Sequence, residues 1–140
     1  MSDGSAFFDT NVLVYLFDRS AGAKQKRARA LLAELAPTIV ISTQVLQEFY
    51  VTTTAKLAPP LSPEDAESQV RNFSAFDVVS IDVALVRSAI SLSREHKLSL
   101  WDALIVESAH ARGCTRLLTE DLQHGREFGR LRVENPFRTT

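Results

Sequence analysis

Apolar residues along the chain fall into short unbroken blocks separated by stretches with helical spacing. AFF at 6–8 is such a block and predicts a buried strand, and NVLVYLF at 11–17 predicts a helix, so Asp9 falls where strand turns into helix. From Lys24 to Leu35, the residues Ala28, Leu31, Leu32 and Leu35 form an apolar stripe with a basic face opposite, and Pro37 ends that helix. TIVIS at 38–42 is β-branched and uninterrupted, as in a strand covered on both faces, and STQVLQEFYVTTTAKL at 42–57 continues as a helix.

APPLSP at 58–63 is the main break, after which Ser62, Pro63, Glu64 and Asp65 read as N-cap, first helical proline and acidic first turn. FDVVSI at 76–81 predicts a third strand, and 82–96 a helix. Ser99 caps a helix over 100–112, which Gly113 stops. TRLLT at 115–119 predicts a fourth strand and LRVENPF at 131–137 a fifth. Alternation of strand and helix implies an α/β fold, a three-layer α/β/α sandwich around a parallel sheet of about five strands.

Composition adjusts this picture only slightly. The chain has 140 residues, 45% hydrophobic and 24% charged, which suits one globular domain spanning 1–140. The longest apolar runs are broken by Asp9 and Asp102 and fall short of the roughly 20 residues of a membrane span. The opening MSDGSAFFDTN lacks a positive n-region, so no export signal is expected. A single cysteine, Cys114, excludes an internal disulfide, reads as a small buried hydrophobe and fits a cytoplasmic location. A net charge of −1 argues against a protein that coats nucleic acid unspecifically, but discounting four carboxylates bound to metal turns it into +3.

Those four are Asp9, Glu48, Asp102 and Asp121. In open parallel sheets the ligand crevice lies beyond the carboxyl ends of the strands, where Asp9 and Asp121 fall directly. Glu48 lies in the helix after the second strand, and Asp102 in the first turn of the helix before the fourth. Asp9, Glu48 and Asp102 are set in apolar surroundings, where an ionised carboxylate costs several kcal/mol unless a cation or hydrogen bonds compensate it. A divalent cation answers both the burial and the mutual repulsion. Oxygen ligands without nearby cysteine or histidine favour magnesium, with manganese as a substitute. Each residue alone has a simpler reading: a helix cap for Asp9, a dipole partner for Asp102, a half-buried helix face for Glu48 and a solvated turn for Asp121.

The strings FFDTNVLVY (7–15), STQVLQEFY (42–50), LSLWDALIVESA (98–109) and LLTEDLQHG (117–125), in this order, resemble the PIN-domain nucleases, and in particular the VapC-type toxins of toxin–antitoxin pairs. The resemblance implies that Asp9, Glu48, Asp102 and Asp121 are catalytic and metal-binding, with Glu120 adjoining the fourth position and Asn11 and Thr119 as polar support. It implies a metal-dependent endoribonuclease cutting structured RNA, such as transfer or ribosomal RNA, to leave 5′-phosphate and 3′-hydroxyl ends. Asp9 and Asp102 would ligate directly, while Glu48 and Asp121 would ligate or hold and deprotonate the attacking water. It also implies a homodimer inhibited by a VapB-like antitoxin, for which a groove beside Leu31, Leu35, Phe49 and Tyr50 is the expected receptor.

Candidate phosphate contacts are Lys24, Lys26, Arg27 and Arg29 on one helix and Arg112, Arg116, Arg126 and Arg130 later. His96, His110 and His124 have no ligand spacing and read as ordinary histidines. Two alternatives remain: a phosphatase of the haloacid dehalogenase kind using Asp9 as nucleophile, although that family wants an aspartate where Asn11 stands, and a non-catalytic PIN-like module that binds RNA or protein.

Overall fold

The computed structural model describes residues 4–138, so the expected domain of 1–140 extends at both ends beyond the described residues. Six strands form one sheet in the order β3-β2-β1-β4-β6-β5. They are β1 (Ala6–Phe8), β2 (Ile39–Ser42), β3 (Asp77–Val79), β4 (Arg116–Leu118), β5 (Glu127–Phe128) and β6 (Leu131–Glu134). All neighbouring pairs are parallel except β5 with β6. The helices are α1 (Thr10–Tyr15), α2 (Ala23–Leu35), α3 (Thr43–Ala55), α4 (Pro63–Phe73), α5 (Val83–His96) and α6 (Leu100–Ala111).

The expected α/β class is therefore found, with one strand more than anticipated. β5 is two residues long, too short to show any period, and it joins β6 through Gly129 at φ 63°, a left-handed turn that glycine adopts without strain. The anticipated caps are in place: Ser62 Oγ accepts from the Asp65 N–H at 3.0 Å and Ser99 Oγ from Asp102 at 3.0 Å, and Asp82, expected inside its helix, caps it instead, Oδ1 accepting from Leu85 at 2.9 Å. Helix α6 stops before Gly113, whose φ is 65°. The first helix ends at Tyr15, two residues earlier than its apolar run, because Leu16 and Phe17 turn inward toward the core.

β1, β2 and most of β4 are buried on both faces, which accounts for their unbroken apolar sequence. The chain steps from β1 to β2 to β3 in one direction, crosses back to β4 on the far side of β1, and continues outward to β6. Right-handed crossovers then place α1 to α4 on one face of the sheet and α5 and α6 on the other. An aromatic cluster of Phe17, Phe49 and Phe73, with ring centroids 5.1–6.5 Å apart and edge-to-face, locks α3 and α4 over the first face. No helix among the described residues is long and apolar enough to cross a membrane.

Candidate active site

The reversal of strand order falls between β1 and β4, which pair along Phe8 and Leu118, and a crevice opens at the carboxyl ends where two neighbouring strands send the chain in opposite directions. Asp9 is the first residue beyond β1, and its N–H donates to the Leu118 carbonyl at 3.0 Å, extending the ladder by one step. Its backbone is extended (φ −72°, ψ 164°) and it caps α1. One carboxylate oxygen accepts from the Thr10 N–H at 2.7 Å and the other from Thr119 Oγ1 at 2.7 Å. The cap and the site are thus the same residue using two different oxygens.

Asp9 is 5% exposed, and burial pushes its carboxyl up to about 7. The hydrogen bonds from Thr119 and Thr10 oppose that rise, while the charges of Asp121 and Glu48 add to it. Glu48 reaches in from α3: Oε1 accepts from Thr10 Oγ1 at 2.7 Å and Oε2 from Gln44 Nε2 at 3.1 Å. Gln44 also donates to the Trp101 carbonyl at 3.3 Å, tying α3 to the first turn of α6, where Asp102 stands. Asp102 has its carboxyl raised by partial burial against the pull of Ser99, with Asp121 and Glu48 adding to the rise. Asp121 accepts from Asn11 Nδ2 at 3.2 Å, and its N–H donates to Thr119 Oγ1 at 3.0 Å.

Glu120, the neighbour that competes with Asp121 in the sequence, turns away to pair with Lys24 at 2.9 Å and to accept from the Tyr15 hydroxyl. The four expected carboxylates therefore share one electrostatic neighbourhood. Gln44 belongs with them and escaped the sequence reading, although its i, i+4 spacing to Glu48 in QVLQE was the available signal.

The donor chemistry fits a hard divalent cation. Four carboxylates surround a region where burial and like charge disfavour ionisation, and Asn11 Oδ1 and Gln44 Oε1 are buried beside them without a hydrogen-bond partner. Among the described residues no three such groups already stand within one ion's coordination shell; each carboxylate is held by a polar neighbour instead. Ligation requires the carboxylates to swing inward about their terminal torsions, which are soft for aspartate and glutamate.

The profile of the PIN domain family matches residues 6–127. The chain belongs to the PIN domain family. The VapC-type likeness read from the sequence is borne out by solved structures. A toxin–antitoxin complex from Klebsiella pneumoniae matches with 25% identity and a TM-score of 0.72 over 95% of this chain and 98% of that one. The sarcin-ricin loop cleaving toxin VapC20 of Mycobacterium tuberculosis matches with 18% identity and a TM-score of 0.66 over 81% and 87%. DNA-bound VapBC from Salmonella typhimurium matches with 20% identity and a TM-score of 0.66 over 94% and 98%. No protein of curated function matches the sequence. Membership in the PIN family, with its own acidic pattern, removes the haloacid dehalogenase alternative.

A cavity of about 530 Å³ opens beside the PIN carboxylates, with Glu48, Asp121 and Asn11 on its polar wall and Val14, Tyr15 and Val51 on its apolar one. Asp9 and Asp102 are not on that wall. The groove expected beside Leu31, Leu35, Phe49 and Tyr50 is not formed by all four, although Tyr50 lines a separate cavity with Leu46, Val51 and Val70. Leu31 and Phe49 are buried in the core, because the apolar faces of α2 and α3 pack against the sheet and the aromatic cluster.

The basic residues proposed for phosphate are scattered through the PIN fold. Lys24 is paired with Glu120, and Arg112 bonds Asp77 at 2.9 and 3.1 Å. Asp77 opens β3 and Arg112 precedes β4, so Arg112 lies toward the amino ends of the strands, apart from the carboxylates. Arg126 packs on the Phe128 ring at 4.7 Å, while Lys26, Arg29 and Arg130 are exposed. Arg27 and Arg116 share a second cavity described below. The histidines have local partners: His110 contacts Glu107 and the Phe128 carbonyl, His96 packs on Phe128, and His124 Nδ1 accepts from the Asn135 N–H. Cys114 is buried.

Proposed function

We propose that this PIN domain is a magnesium-dependent endoribonuclease, with manganese as a substitute, acting as the toxin of a toxin–antitoxin pair in the cytoplasm. The observation that carries this reading is the juxtaposition of Asp9, Glu48 and Asp121 around the β1/β4 crevice, with Asp102 joined to them through Gln44. Asp9 and Asp102 would hold the ion, assisted by Glu48 and Asp121. When bound, the cation supplies positive charge against the phosphate oxygens and acidifies water.

The chain's own residues do the rest. Thr119 and Thr10 hold Asp9 and Glu48 in fixed orientations by donating to them, and the Thr119 bond favours the ionised form of Asp9. Asn11 holds Asp121 at the cavity wall, where with Glu48 it orients a water for in-line attack and accepts its proton. Hydrolysis leaves a 5′-phosphate and a 3′-hydroxyl. An unpaired loop of a structured RNA, such as transfer or ribosomal RNA, suits this open crevice better than a stem. A VapB-like antitoxin fits the cavity lined by Val14, Tyr15 and Val51, in keeping with the toxin–antitoxin complexes among the structural relatives, and homodimerisation and a single domain over 1–140 are part of the proposal.

The test is incubation of purified chain with total RNA in magnesium or in chelator, followed by sequencing of new 5′ ends. Discrete 5′-phosphate ends that appear only with metal and vanish in Asp9→Asn support the reading. Cleavage surviving in Asp9→Asn, or no cleavage at all, returns the chain to a non-catalytic binding module.

A further inference from the structure

A second cavity, of about 390 Å³, is lined by Arg27, Arg116, Arg132 and Arg138 with His124 and a single carboxylate, Glu134. In a chain whose net charge is −1, four guanidiniums around one opening are a strong local departure. Arg116 and Arg132 are register partners on adjacent parallel strands, which lie only about 4.8 Å apart. Like charges so placed repel unless an anion lies between or above them. Glu134 does not supply it for the group, because Arg116 engages both of its oxygens at 2.9–3.1 Å, and Glu127, the register partner of Arg132 on β5, makes no ion pair with it. Among the described residues Arg27, Arg132 and Arg138 have no carboxylate partner.

The remaining polar groups are set as donors. His124 Nδ1 accepts from the Asn135 N–H at 3.0 Å, so a neutral ring carries its proton on Nε2 and offers it outward. Arg27 is fixed by donating from Nε to the Pro136 carbonyl at 3.2 Å. The cavity shares no lining residue with the acidic crevice, but the backbone joins the two. Thr119, which holds Asp9, donates its N–H to the Glu134 carbonyl at 3.1 Å, and a single loop leads from Thr119 through Asp121 to His124.

We propose that this arginine cavity is a binding site for the phosphodiester backbone of the RNA strand, at nucleotides away from the bond that is cut. The inference rests on the endoribonuclease reading for its substrate class. A crevice ringed by carboxylates repels a polyanion, so a nearby basic site supplies the attraction that draws the strand in. Guanidiniums match phosphate oxygens in pairs, and their spread over α2, β4, β6 and the chain after β6 suits successive phosphates better than one small ion.

The test measures binding without cutting. The full chain carrying Asp9→Asn is titrated with a labelled single-stranded RNA at several sodium chloride concentrations in chelator, alone and with Arg132→Gln and Arg138→Gln added. The double change is expected to weaken binding about tenfold or more and to flatten the salt dependence by about 1.4, two contacts at roughly 0.7 each. Arg87→Gln, on α5 and outside the cavity, leaves both unchanged.

Unaltered affinity and slope in the double variant would overturn the proposal. So would displacement of the RNA by polyglutamate as readily as by polyuridylate, which would assign the cavity to an acidic protein segment. The two readings fail separately: RNA cleavage with no effect of the double variant removes only the arginine site, whereas weakened binding without cleavage in the unmodified chain removes only the nuclease.

Discussion

Thr119 donates its hydroxyl to Asp9 across the β1/β4 boundary at 2.7 Å, and the same oxygen accepts the Asp121 N–H at 3.0 Å. One side chain thus orients a buried carboxylate and anchors the loop that carries another. Thr119→Val keeps the shape and removes both bonds. Activity on RNA is expected to fall about 10–100-fold, with the rising limb of its pH profile displaced to higher pH, because a hydrogen bond that favours ionised Asp9 is lost. Thr119→Ser restores the profile, an outcome that a purely structural role for the methyl group would not give.

Asp9 makes the metal-free chain sensitive to pH. Its folded-state value of about 7 lies above its ordinary 3.8, so between those values the folded chain holds a proton that the unfolded chain releases. Stability therefore falls as pH rises through this window, by up to about 1.4 kcal/mol per unit, and levels off above it. Asp102 shifts in the same direction. Denaturant titrations in chelator should show Asp9→Asn more stable than the unmodified chain at neutral pH, with a shallower decline from pH 4 to 7. Parallel curves for the two proteins would refute the burial argument.

Magnesium should reverse that penalty. An ion that binds only the folded chain stabilises it by mass action, and here it must also expel the proton from Asp9. The rise in thermal midpoint on adding magnesium is expected to be larger at pH 8 than at pH 6, and absent in the double variant Asp9→Asn, Asp102→Asn. Equal rises at both pH values would point to binding elsewhere.

Gln44 links Glu48 to the start of α6, so it acts as a positioning residue for two carboxylates at once. Gln44→Leu is expected to lower kcat roughly tenfold or more with little change in KM, since the cavity that receives substrate is not built from it. Glu48→Gln should be more severe, of the order of 100-fold, with far-ultraviolet circular dichroism unchanged.

Phe49 is wholly buried between Phe17 and Phe73. Phe49→Ala is expected to cost about 3–5 kcal/mol in urea unfolding, well beyond any surface substitution.

The sequence exposed what local physics controls. β1 and β2 were legible because burial on both faces forces unbroken apolar runs, and Ser62 and Ser99 because caps are set by residues a few positions apart. Asp9, Glu48 and Asp102 were legible because a carboxylate amid apolar neighbours is costly without a reason, and Asp121 because it follows a strand end. What stayed hidden depends on pairings between distant segments. Gln44 acquires its role only when α3 meets Trp101, and Arg132 meets Arg116 only through the β4–β6 register. Phe49 read as the wall of a groove, and only α4, by supplying Phe73, makes it core. β5 has two residues and no pattern to read.

Asp9 also continues the β1 ladder by one hydrogen bond to Leu118, so it belongs to the sheet as much as to the site. Its carboxylate can turn about its own torsion, but displacing its backbone means breaking into a strand pair whose Phe7, Phe8, Leu117 and Leu118 are fully buried. A centre built on such a foundation is poorly suited to being switched by distortion. Silencing it falls to something that plugs the crevice from outside, and activity returns as soon as the plug departs, with nothing to refold.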